Sequence, residues 1–381
     1  MNTEIMQMNY KNDFVLNDSV YLLNHSVGRP LTGTKQAFYD GYLAHWEDAD
    51  DQLWPHWLTG IDDFLEAVST LFHGDKSLFC PQVNVSSGLT KLVMSLARLQ
   101  TEKALVLMSE IDFPTIGFAL QKALPHGYEQ IRFLPQTADV TDPNVWAEHL
   151  SADMGMVFIS HVYSNTGQQA PIADVLPLAA QQNILTVVDV AQAAGIVPLD
   201  LRQTTPDFLV GSCVKWLCGG PGAGYLWINP QRIDECQPKD VGWFSHERPF
   251  EFNIHNFRYH PTALRFWGGT PSVAPYIIAA HSINYFNEIG SANSRQHNQQ
   301  MIDIVANELD TEFVSPREEA KRSGTMILHF GDQQETMVQA LQKANIQVDQ
   351  RNLGMRVSPH IYNDAEDMAF LLQTIKANYH N

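Results

Sequence analysis

The chain has 381 residues, 44% of them hydrophobic, which is enough to bury one large core and a smaller one. Its formal net charge of -18 argues against a nucleic-acid partner, because a phosphate backbone would have to bind against the overall field. No basic start leads into an apolar signal core, and no stretch approaches the roughly 18 apolar residues that span a bilayer, so we expect no membrane contact and a cytoplasmic location.

Short apolar runs of strand length recur between residues 104 and 228. They lie at 104–109, 130–134, 156–160, 185–190, 208–212 and 224–228, and helical patterns such as those at 89–99 and 172–182 lie between several of them. Most of these runs lack polar alternation, which is typical of strands buried on both faces. Strands that alternate with helices predict an α/β domain with a mainly parallel sheet.

The pattern changes after about residue 275. A long helical stretch, "VAPYIIAAHSINYFNEIG", is followed by a second one ending in "IVANELD", then by short strand candidates and a final helix. We therefore predict a large domain at 41–275 and a smaller α+β domain at 276–381. The amino-terminal arm, residues 1–40, is expected to complete the smaller domain.

One lysine stands between an apolar run and a glycine-rich stretch in "GSCVKWLCGGPGAGYLWI", residues 211–228. A lone lysine is usually a surface residue, but apolar neighbours remove hydration from an ammonium group and lower its pKa. A lysine that is neutral near pH 7 can attack a carbonyl and form a Schiff base. The glycines do not form a phosphate loop, because the GK[ST] ending is missing and a strand follows. Lys215 is therefore the candidate nucleophile.

A carboxylate ends the apolar run "LTVVDV" at Asp189. It is either paired with a cation or the N-cap of a following helix. A Schiff-base lysine needs an aldehyde, usually pyridoxal phosphate, whose ring nitrogen requires an anion to stay protonated. Asp189 is the candidate for that anion, and the Gln192 amide is a candidate donor to the phenolic oxygen of the cofactor.

Two of these segments, "VVDVAQAAGIVPLDL" and "SCVKWLCGGPGAG", resemble the class V aminotransferase group of fold type I enzymes, and more narrowly kynureninases. The resemblance extends over most of the chain through the segments "YLLNHSVGRPL", "SSGLTKL", "DFPTIGF", "SHVYSNTGQQAPI", "VGWFSH", "GGTPSVAPY" and "MRVSPHIYND". It implies a three-layer α/β/α large domain, a smaller domain and pyridoxal phosphate as cofactor.

The resemblance also implies which residues bind the cofactor. In addition to Lys215, Asp189 and Gln192, they are Gly88, Leu89 and Thr90 at the phosphate, Phe113 on the ring, Ser160, and Trp243 and Thr270 near the phosphate. Several of these residues have simpler readings, as an N-cap segment, a core phenylalanine and a turn serine. Since the last two positions act partly from the second subunit in the family, a homodimer with the active site at the subunit interface is implied.

Arg356 in "MRVSP" matches the family's arginine that binds the substrate α-carboxylate through two N–H groups. Guanidinium geometry suits that bidentate contact, although a surface arginine would also be ordinary. Asn24 and Ser26 would lie near the same carboxylate if the arm folds over the site as it does in the family.

Three positions depart from the kynureninase pattern. Val214 stands where a tyrosine precedes the lysine, Gln192 where a histidine is usual, and Ile116 where an aspartate is usual. The missing tyrosine removes a hydroxyl that hydrolysis of kynurenine would be expected to use. Because no cysteine follows Cys236, sulfur transfer through a carboxyl-terminal cysteine loop is not expected either.

We therefore predict an enzyme that acts on a small-molecule amino acid through an external aldimine and removal of the Cα proton, as a transaminase or a side-chain lyase. Kynurenine hydrolysis is the alternative. A non-catalytic binding protein of the same fold is a third reading, against which the retention of Lys215, Asp189 and Arg356 argues. The histidines show no HExxH or similar spacing and the cysteines no CxxC pair, so no metal is expected.

Overall fold

The computed structural model describes residues 10–48 and 51–379. Two sheets and a two-stranded pair contain the strands β1 Val20–Tyr21, β2 Phe79–Gln82, β3 Leu105–Ser109, β4 Ile131–Leu134, β5 Met154–Ser160, β6 Leu185–Asp189, β7 Phe208–Ser212, β8 Gly224–Ile228, β9 Met326–Leu328, β10 Ile346–Gln347, β11 Asp349–Arg351 and β12 Gly354–Val357.

The α-helices are α1 Thr34–Phe38, α2 Ala44–Glu47, α3 Leu53–Phe72, α4 Val85–Ser95, α5 Pro114–Ala123, α6 Pro143–His149, α7 Ile172–Gln181, α8 Ala274–Ile289, α9 Ser291–Ala306, α10 Gln334–Lys343 and α11 Ala365–Asn378. Among the described residues, no helix is both long and apolar enough to cross a membrane.

Seven strands form the central sheet in the order β2-β8-β7-β6-β5-β3-β4. The pairs from β7 to β4 are parallel, whereas β8 runs antiparallel to both β7 and β2. The predicted α/β fold with a mainly parallel sheet is therefore confirmed.

Apolar packing on both faces of the sheet explains the unbroken apolar runs. Val157 and Ile159 of β5 join one core cluster with residues of α3, α7 and α8, while Met156 and Phe158 join a second cluster with residues of α4 and α5. Because successive side chains of a strand point to opposite faces, a strand covered on both faces needs an apolar residue at every position.

The carboxyl ends of the parallel strands meet at one edge of the sheet. Ser160 at the end of β5 pairs with Asp189 at the end of β6, and β7 ends nearby at Ser212. Polar side chains are tolerated there because the strands leave the core at this edge. This is the edge at which ligands bind in open parallel sheets.

A third core cluster lies in the carboxyl-terminal part of the chain. It contains apolar residues of α9, α10 and α11 together with the antiparallel sheet β11-β12-β9. Strand β1 of the amino-terminal arm pairs in parallel with β10, and Leu22 is buried in this same cluster. Helix α8 packs with the large sheet, where Tyr276 meets Phe64 of α3 at a ring distance of 4.9 Å. The domain limits at residues 40 and 275 stay a prediction.

Candidate active site

A cavity of about 190 Å³ opens at the carboxyl edge of the central sheet. The residues that line it come from the ends of β5, β6 and β7, the start of α4 and the segment before α5: Asn84, Val85, Ser86, Phe113, Thr115, Ile116, Ser160, Val162, Ser164, Asp189, Ala191, Gln192, Ser212 and Lys215. Five of the residues predicted for the site are among them.

Lys215 lies in the turn that follows β7 and is half-buried at the cavity wall. Burial lowers the pKa of its ammonium group, Asp189 acts in the opposite direction, and the positive charge of Arg356 lowers it further. Within the described part of the chain, no carboxylate oxygen lies within 4 Å of its Nζ. The amine therefore loses its proton more readily than an exposed lysine.

The amino-terminal arm packs directly on this turn at Gly28. The Gly28 N–H donates to the carbonyl oxygen of Val214 at 2.8 Å. A Cβ atom at residue 28 would lie 2.1 Å from the carbonyl oxygen of Lys215 and 2.5 Å from Sγ of Cys218. Only glycine permits this approach, so the arm and the lysine turn form one packed unit.

Asp189 places its carboxylate at the cavity wall. Oδ1 accepts a hydrogen bond from the backbone N–H of Ala191 at 2.8 Å. Burial raises the pKa of Asp189, and the Ala191 bond and the charge of Lys215 partly oppose that effect. A desolvated carboxyl group of this kind gains stability from a cationic N–H donor placed in the cavity.

Phe113 and Ser160 also face the cavity, and Phe113 is 47% exposed at its mouth. The Ser160 hydroxyl donates to Oδ1 of Asp112 at 2.6 Å, and the backbone N–H of Ser109 donates to Oδ2 at 2.8 Å. Burial raises the pKa of Asp112 to about 7, against the effect of the Ser160 bond. The orientation of the Ser160 hydroxyl is therefore set by a second buried carboxyl group behind the cavity wall.

Gln192 reaches the cavity from the turn after β6. Its Nε2 donates to the carbonyl oxygen of His25 at 3.0 Å, which links the arm to the site. Among the described residues, neither its buried Oε1 nor the buried hydroxyl of Ser164, another residue of the cavity wall, has a hydrogen-bond partner. These two unpaired polar atoms mark the cavity as a site for a polar ligand.

The structure does not bring Gly88, Leu89 and Thr90 to the cavity. Helix α4 begins at Val85, so the Gly88 N–H already bonds to the carbonyl oxygen of Asn84 at 3.2 Å. Leu89 is fully buried in the core, and Thr90 faces a neighbouring surface groove.

Ser86, in the first turn of α4, lines the cavity instead. The N-cap is Asn84, whose Oδ1 accepts from the N–H of Ser87 at 2.8 Å. The free N–H groups of the first turn and the positive end of the helix dipole lie on this side. The cavity wall therefore contains Ser86 and not the predicted residues Gly88, Leu89 and Thr90.

Arg356 is buried on β12, with only 3% of its surface exposed. Its Nε donates to Oδ1 of Asp349 at 2.8 Å, its Nη2 donates to Oδ2 of the same residue, and its Nη1 donates to the carbonyl oxygen of Ser164 at 3.1 Å. Arg356 does not itself line the cavity, but Ser164 does. The arginine therefore lies one residue behind the cavity wall.

Asn24 and Ser26 do not line the cavity in this structure. Asn24 is fully buried, where its Nδ2 donates to the carbonyl oxygen of Ser358 at 3.2 Å and its Oδ1 accepts from the hydroxyl of Tyr362 at 2.8 Å. Ser26 is exposed. Asn24 thus fastens the arm to the small lobe.

Trp243 and Thr270 also lie away from the cavity of their own chain. Trp243 is half-buried in an aromatic cluster with Trp54, Phe250 and Phe252, and Thr270 is exposed.

A family model described as "Aminotransferase class-V" matches residues 58–376. The chain belongs to the class-V aminotransferase family. Pyridoxal phosphate is therefore its cofactor.

Two curated relatives match this class-V chain over most of its length. The uncharacterized aminotransferase YcbU of Bacillus subtilis (strain 168) is 23% identical over 356 residues, 92% of this chain and 91% of that protein. A kynureninase of Shouchella clausii (strain KSM-K16) is 26% identical over 392 residues, 96% of this chain and 90% of that protein.

Two solved structures of C-DES share the fold. One contains glycine covalently linked to the PLP cofactor, with a TM-score of 0.85 and 21% identity over 96% of this chain and 98% of that chain. The other is the complex of this cystine C–S lyase with cysteine persulfide, with a TM-score of 0.85 and 22% identity over 96% of this chain and 99% of that chain. The class-V chain therefore has the fold type I architecture.

The cavity residues fit pyridoxal phosphate. An amine that forms no ion pair within residues 10–48 and 51–379, a desolvated carboxyl group, an exposed aromatic face and a helix N-terminus surround one space. Two polar atoms of its wall have no hydrogen-bond partner in the same ranges. Lys215 would hold the aldehyde carbon, Asp189 the ring nitrogen and the first turn of α4 the phosphate.

Among the residues at the cavity or bonded behind it that sequence reasoning did not predict are Ser86, Asp112, Ser164 and Asp349. Asn84 directly before an apolar helix was a signal for the helix start, and hence for Ser86. Asp112 also carried a signal, as a carboxylate beside a buried strand. Nothing in the local sequence of Ser164 or Asp349 distinguishes them from loop and hairpin residues.

Proposed function

We propose that this class-V chain acts on an amino acid and catalyses either transamination or elimination of a side-chain group. The observation that carries the proposal is the cavity shared by Lys215 and Asp189. Burial lowers the pKa of the lysine and raises that of the acid, so Lys215 loses a proton and Asp189 keeps one more readily than either group would in water. Groups with opposed, burial-driven pKa shifts in one cleft are typical of catalytic sites.

Each residue then has a defined task. Lys215, once its amine is free, removes the proton from Cα of the substrate, because its lowered pKa leaves a larger fraction of the amine unprotonated. Asp189 accepts a hydrogen bond from the ring N–H and keeps that nitrogen positive. Arg356 binds the α-carboxylate. When bound, the cofactor supplies an electron sink for the negative charge that develops at Cα.

The side-chain chemistry depends on the rest of the cavity wall. Ile116 and Val162 give one part of the wall an apolar surface, and Val214 in the lysine turn offers no hydroxyl for a second proton transfer. These features favour transamination or elimination over hydrolysis of a ketone side chain.

We also propose a cytoplasmic homodimer whose second subunit adds Trp243 and Thr270 to the site. Beside Trp243 the chain exposes Phe250, Phe252 and Ile254, with 53%, 76% and 91% of their surfaces accessible. Three exposed apolar side chains at alternate positions of one segment are expected to be covered by another protein surface. Analytical ultracentrifugation of the purified protein tests this point.

The central experiment incubates the purified, cofactor-loaded protein with a panel of amino acids that includes cystine and kynurenine. Absorbance follows the bound cofactor, and chromatography identifies the products. A keto acid with aminated cofactor indicates transamination, whereas pyruvate with a released side-chain group indicates elimination. No turnover of any amino acid by a fully loaded protein would favour a binding role.

Matched variants connect the result to the site. Lys215→Ala should abolish covalent attachment of the cofactor and reduce turnover by several orders of magnitude, roughly as for loss of a nucleophile that acts with other groups. Lys103→Ala removes an exposed lysine and should change neither property. Borohydride reduction followed by peptide mapping locates the attachment, and a label on any other lysine would overturn the proposal.

Kynurenine hydrolysis is kept as a second candidate because the kynureninase relative matches 96% of this chain. Release of anthranilate and alanine from kynurenine would establish it. That result would also mean that the valine at residue 214 is compatible with the reaction.

A further inference from the structure

The guanidinium of Arg356 is held by a carboxylate of its own hairpin. Asp349 and Arg356 are directly opposed across strands β11 and β12. The carboxylate meets the Nε and Nη2 edge of the guanidinium, which is the side-on fork. Nη1 donates to the carbonyl oxygen of Ser164 at 3.1 Å. The side chain is thus fixed at three of its N–H groups.

The other fork of the guanidinium still has free N–H groups. A guanidinium carries five N–H donors, and the end-on fork consists of Nη1 and Nη2. After the bonds to Asp349 and Ser164, each of these nitrogens retains one N–H. Ser164, whose carbonyl oxygen accepts from Nη1, lines the cavity, so one wall residue separates the guanidinium from it. Asp349 occupies only the Nε–Nη2 edge, so a carboxylate that approached Arg356 from the cavity would not compete with Asp349 for that edge.

Asp349 is in turn held by the amino-terminal arm. Nε2 of His25 lies 3.0 Å from its Oδ1, and Nδ1 of His25 lies 2.7 Å from the hydroxyl of Ser358. The Ser358 hydroxyl lies 2.8 Å from that of Thr325. Since an ionised carboxylate only accepts, His25 donates to Asp349 through Nε2 and accepts from Ser358 through Nδ1. The side chain of His25 has no exposed surface, so this arrangement is rigid.

We infer that Asp349, fastened by His25, is a positioning residue that presents the end-on fork of Arg356 to the carboxylate of the substrate. The inference rests on the proposed function, in which Arg356 binds that carboxylate. It extends that function, because it assigns the selection of α-amino acids over plain amines to Arg356, Asp349 and His25 together. His25 is the contribution of the amino-terminal arm. Bidentate recognition requires a planar donor in a fixed orientation, and the cross-strand pair supplies it.

A different role for Asp349 would change the affinity for the substrate in the opposite direction. If Asp349 instead occupied the position of the substrate carboxylate, a ligand would have to displace it, and its removal would tighten binding. The sign of the change in affinity therefore separates the two cases.

The test titrates the cofactor-loaded protein with L-alanine and with ethylamine, which lacks the carboxylate, and follows the absorbance of the bound cofactor. We expect Asp349→Asn to raise the apparent Kd for L-alanine about tenfold or more, which is the effect of losing a charge-assisted contact, and to leave the Kd for ethylamine unchanged. His25→Asn keeps the Asp349 carboxylate but removes the imidazole that bonds to it, so it should raise the Kd for L-alanine by a smaller factor. Should Asp349→Asn fail to fold, His25→Asn alone decides the question.

The control is Asp303→Asn, which removes a carboxylate from another nearly buried arginine, Arg322, in the same lobe. It should alter neither titration. Arg356→Lys tests the proposed function separately. If this variant binds L-alanine normally, the carboxylate assignment fails and the inference fails with it. If Arg356→Lys weakens binding but Asp349→Asn does not, or tightens it, the inference alone is wrong.

Discussion

Replacing Gly28 by alanine should separate the amino-terminal arm from the Lys215 turn. The new Cβ would lie 2.1 Å from the carbonyl oxygen of Lys215 and 2.5 Å from Sγ of Cys218. Ordinary contacts between heavy atoms are about 3.5 Å, so the arm must retreat by about 1 Å or more. The retreat also weakens the 2.8 Å hydrogen bond from Gly28 to Val214.

The size of the effect follows from these two losses. Overpacking costs about 1–3 kcal/mol and a lost backbone hydrogen bond about 1 kcal/mol, so the free energy of unfolding should fall by about 2–4 kcal/mol. Turnover should fall further, since the arm carries His25, which contacts both Gln192 and Asp349. A 1 Å misplacement near a reacting centre can cost about 100-fold in rate.

Urea denaturation measures the first quantity, and kcat/KM with the best amino acid of the panel measures the second. Gly117→Ala is the matched control, because its Cβ would meet only the methyl group of Met108 at 3.9 Å and it lies within helix α5. The control should be neutral or slightly stabilising. If Gly28→Ala is as stable and as active as Gly117→Ala, the close packing of the arm on the lysine turn is refuted.

Three further changes test other parts of the structure. Asp112→Asn removes a carboxyl group whose pKa is raised to about 7 by burial. The natural chain loses the stability of the protonated form as the pH rises from about 4 to 7, so over that range the variant should gain up to about 4 kcal/mol in free energy of unfolding relative to it. The same difference in free energy of unfolding at every pH would contradict this. Ser86→Ala should raise the Kd for pyridoxal phosphate about tenfold in an absorbance titration, and an unchanged Kd would remove Ser86 from the phosphate site. Phe64→Ala, at a fully buried ring, should lower the free energy of unfolding by about 3–5 kcal/mol in urea, and a loss below about 1 kcal/mol would contradict the packing of α3 on α8.

The sheet was largely predictable because burial on both faces leaves a direct mark in the sequence. The six apolar runs coincide with β3 to β8. The reversed direction of β8 was not predictable, since side-chain burial does not record strand direction. Strand β2 escaped prediction because Pro81 lies within its four residues, and proline ordinarily argues against a strand.

Site residues were predictable from the sequence where a charged group stands beside an apolar run. Lys215 and Asp189 stood out because charged groups ended apolar runs, and the cavity contains both. Gly88, Leu89 and Thr90 were predicted at the cavity, but Ser86 lines it, because α4 begins directly after the Asn84 cap. The Asp349–Arg356 pair depends on hairpin register, which forms only when β11 and β12 align.

The pairing of β1 with β10 has a consequence for synthesis on the ribosome. Residues 20–21 bond to residues 346–347, so strand β1 has no edge to join until synthesis has passed residue 347. Contacts between such distant positions are slow to form. The large lobe can collapse first and Gly28 can already pack on the Lys215 turn, whereas His25 still lacks its partners Asp349 and Ser358. The contact of His25 with Asp349, behind Arg356, can therefore form only after residue 349 has been synthesised.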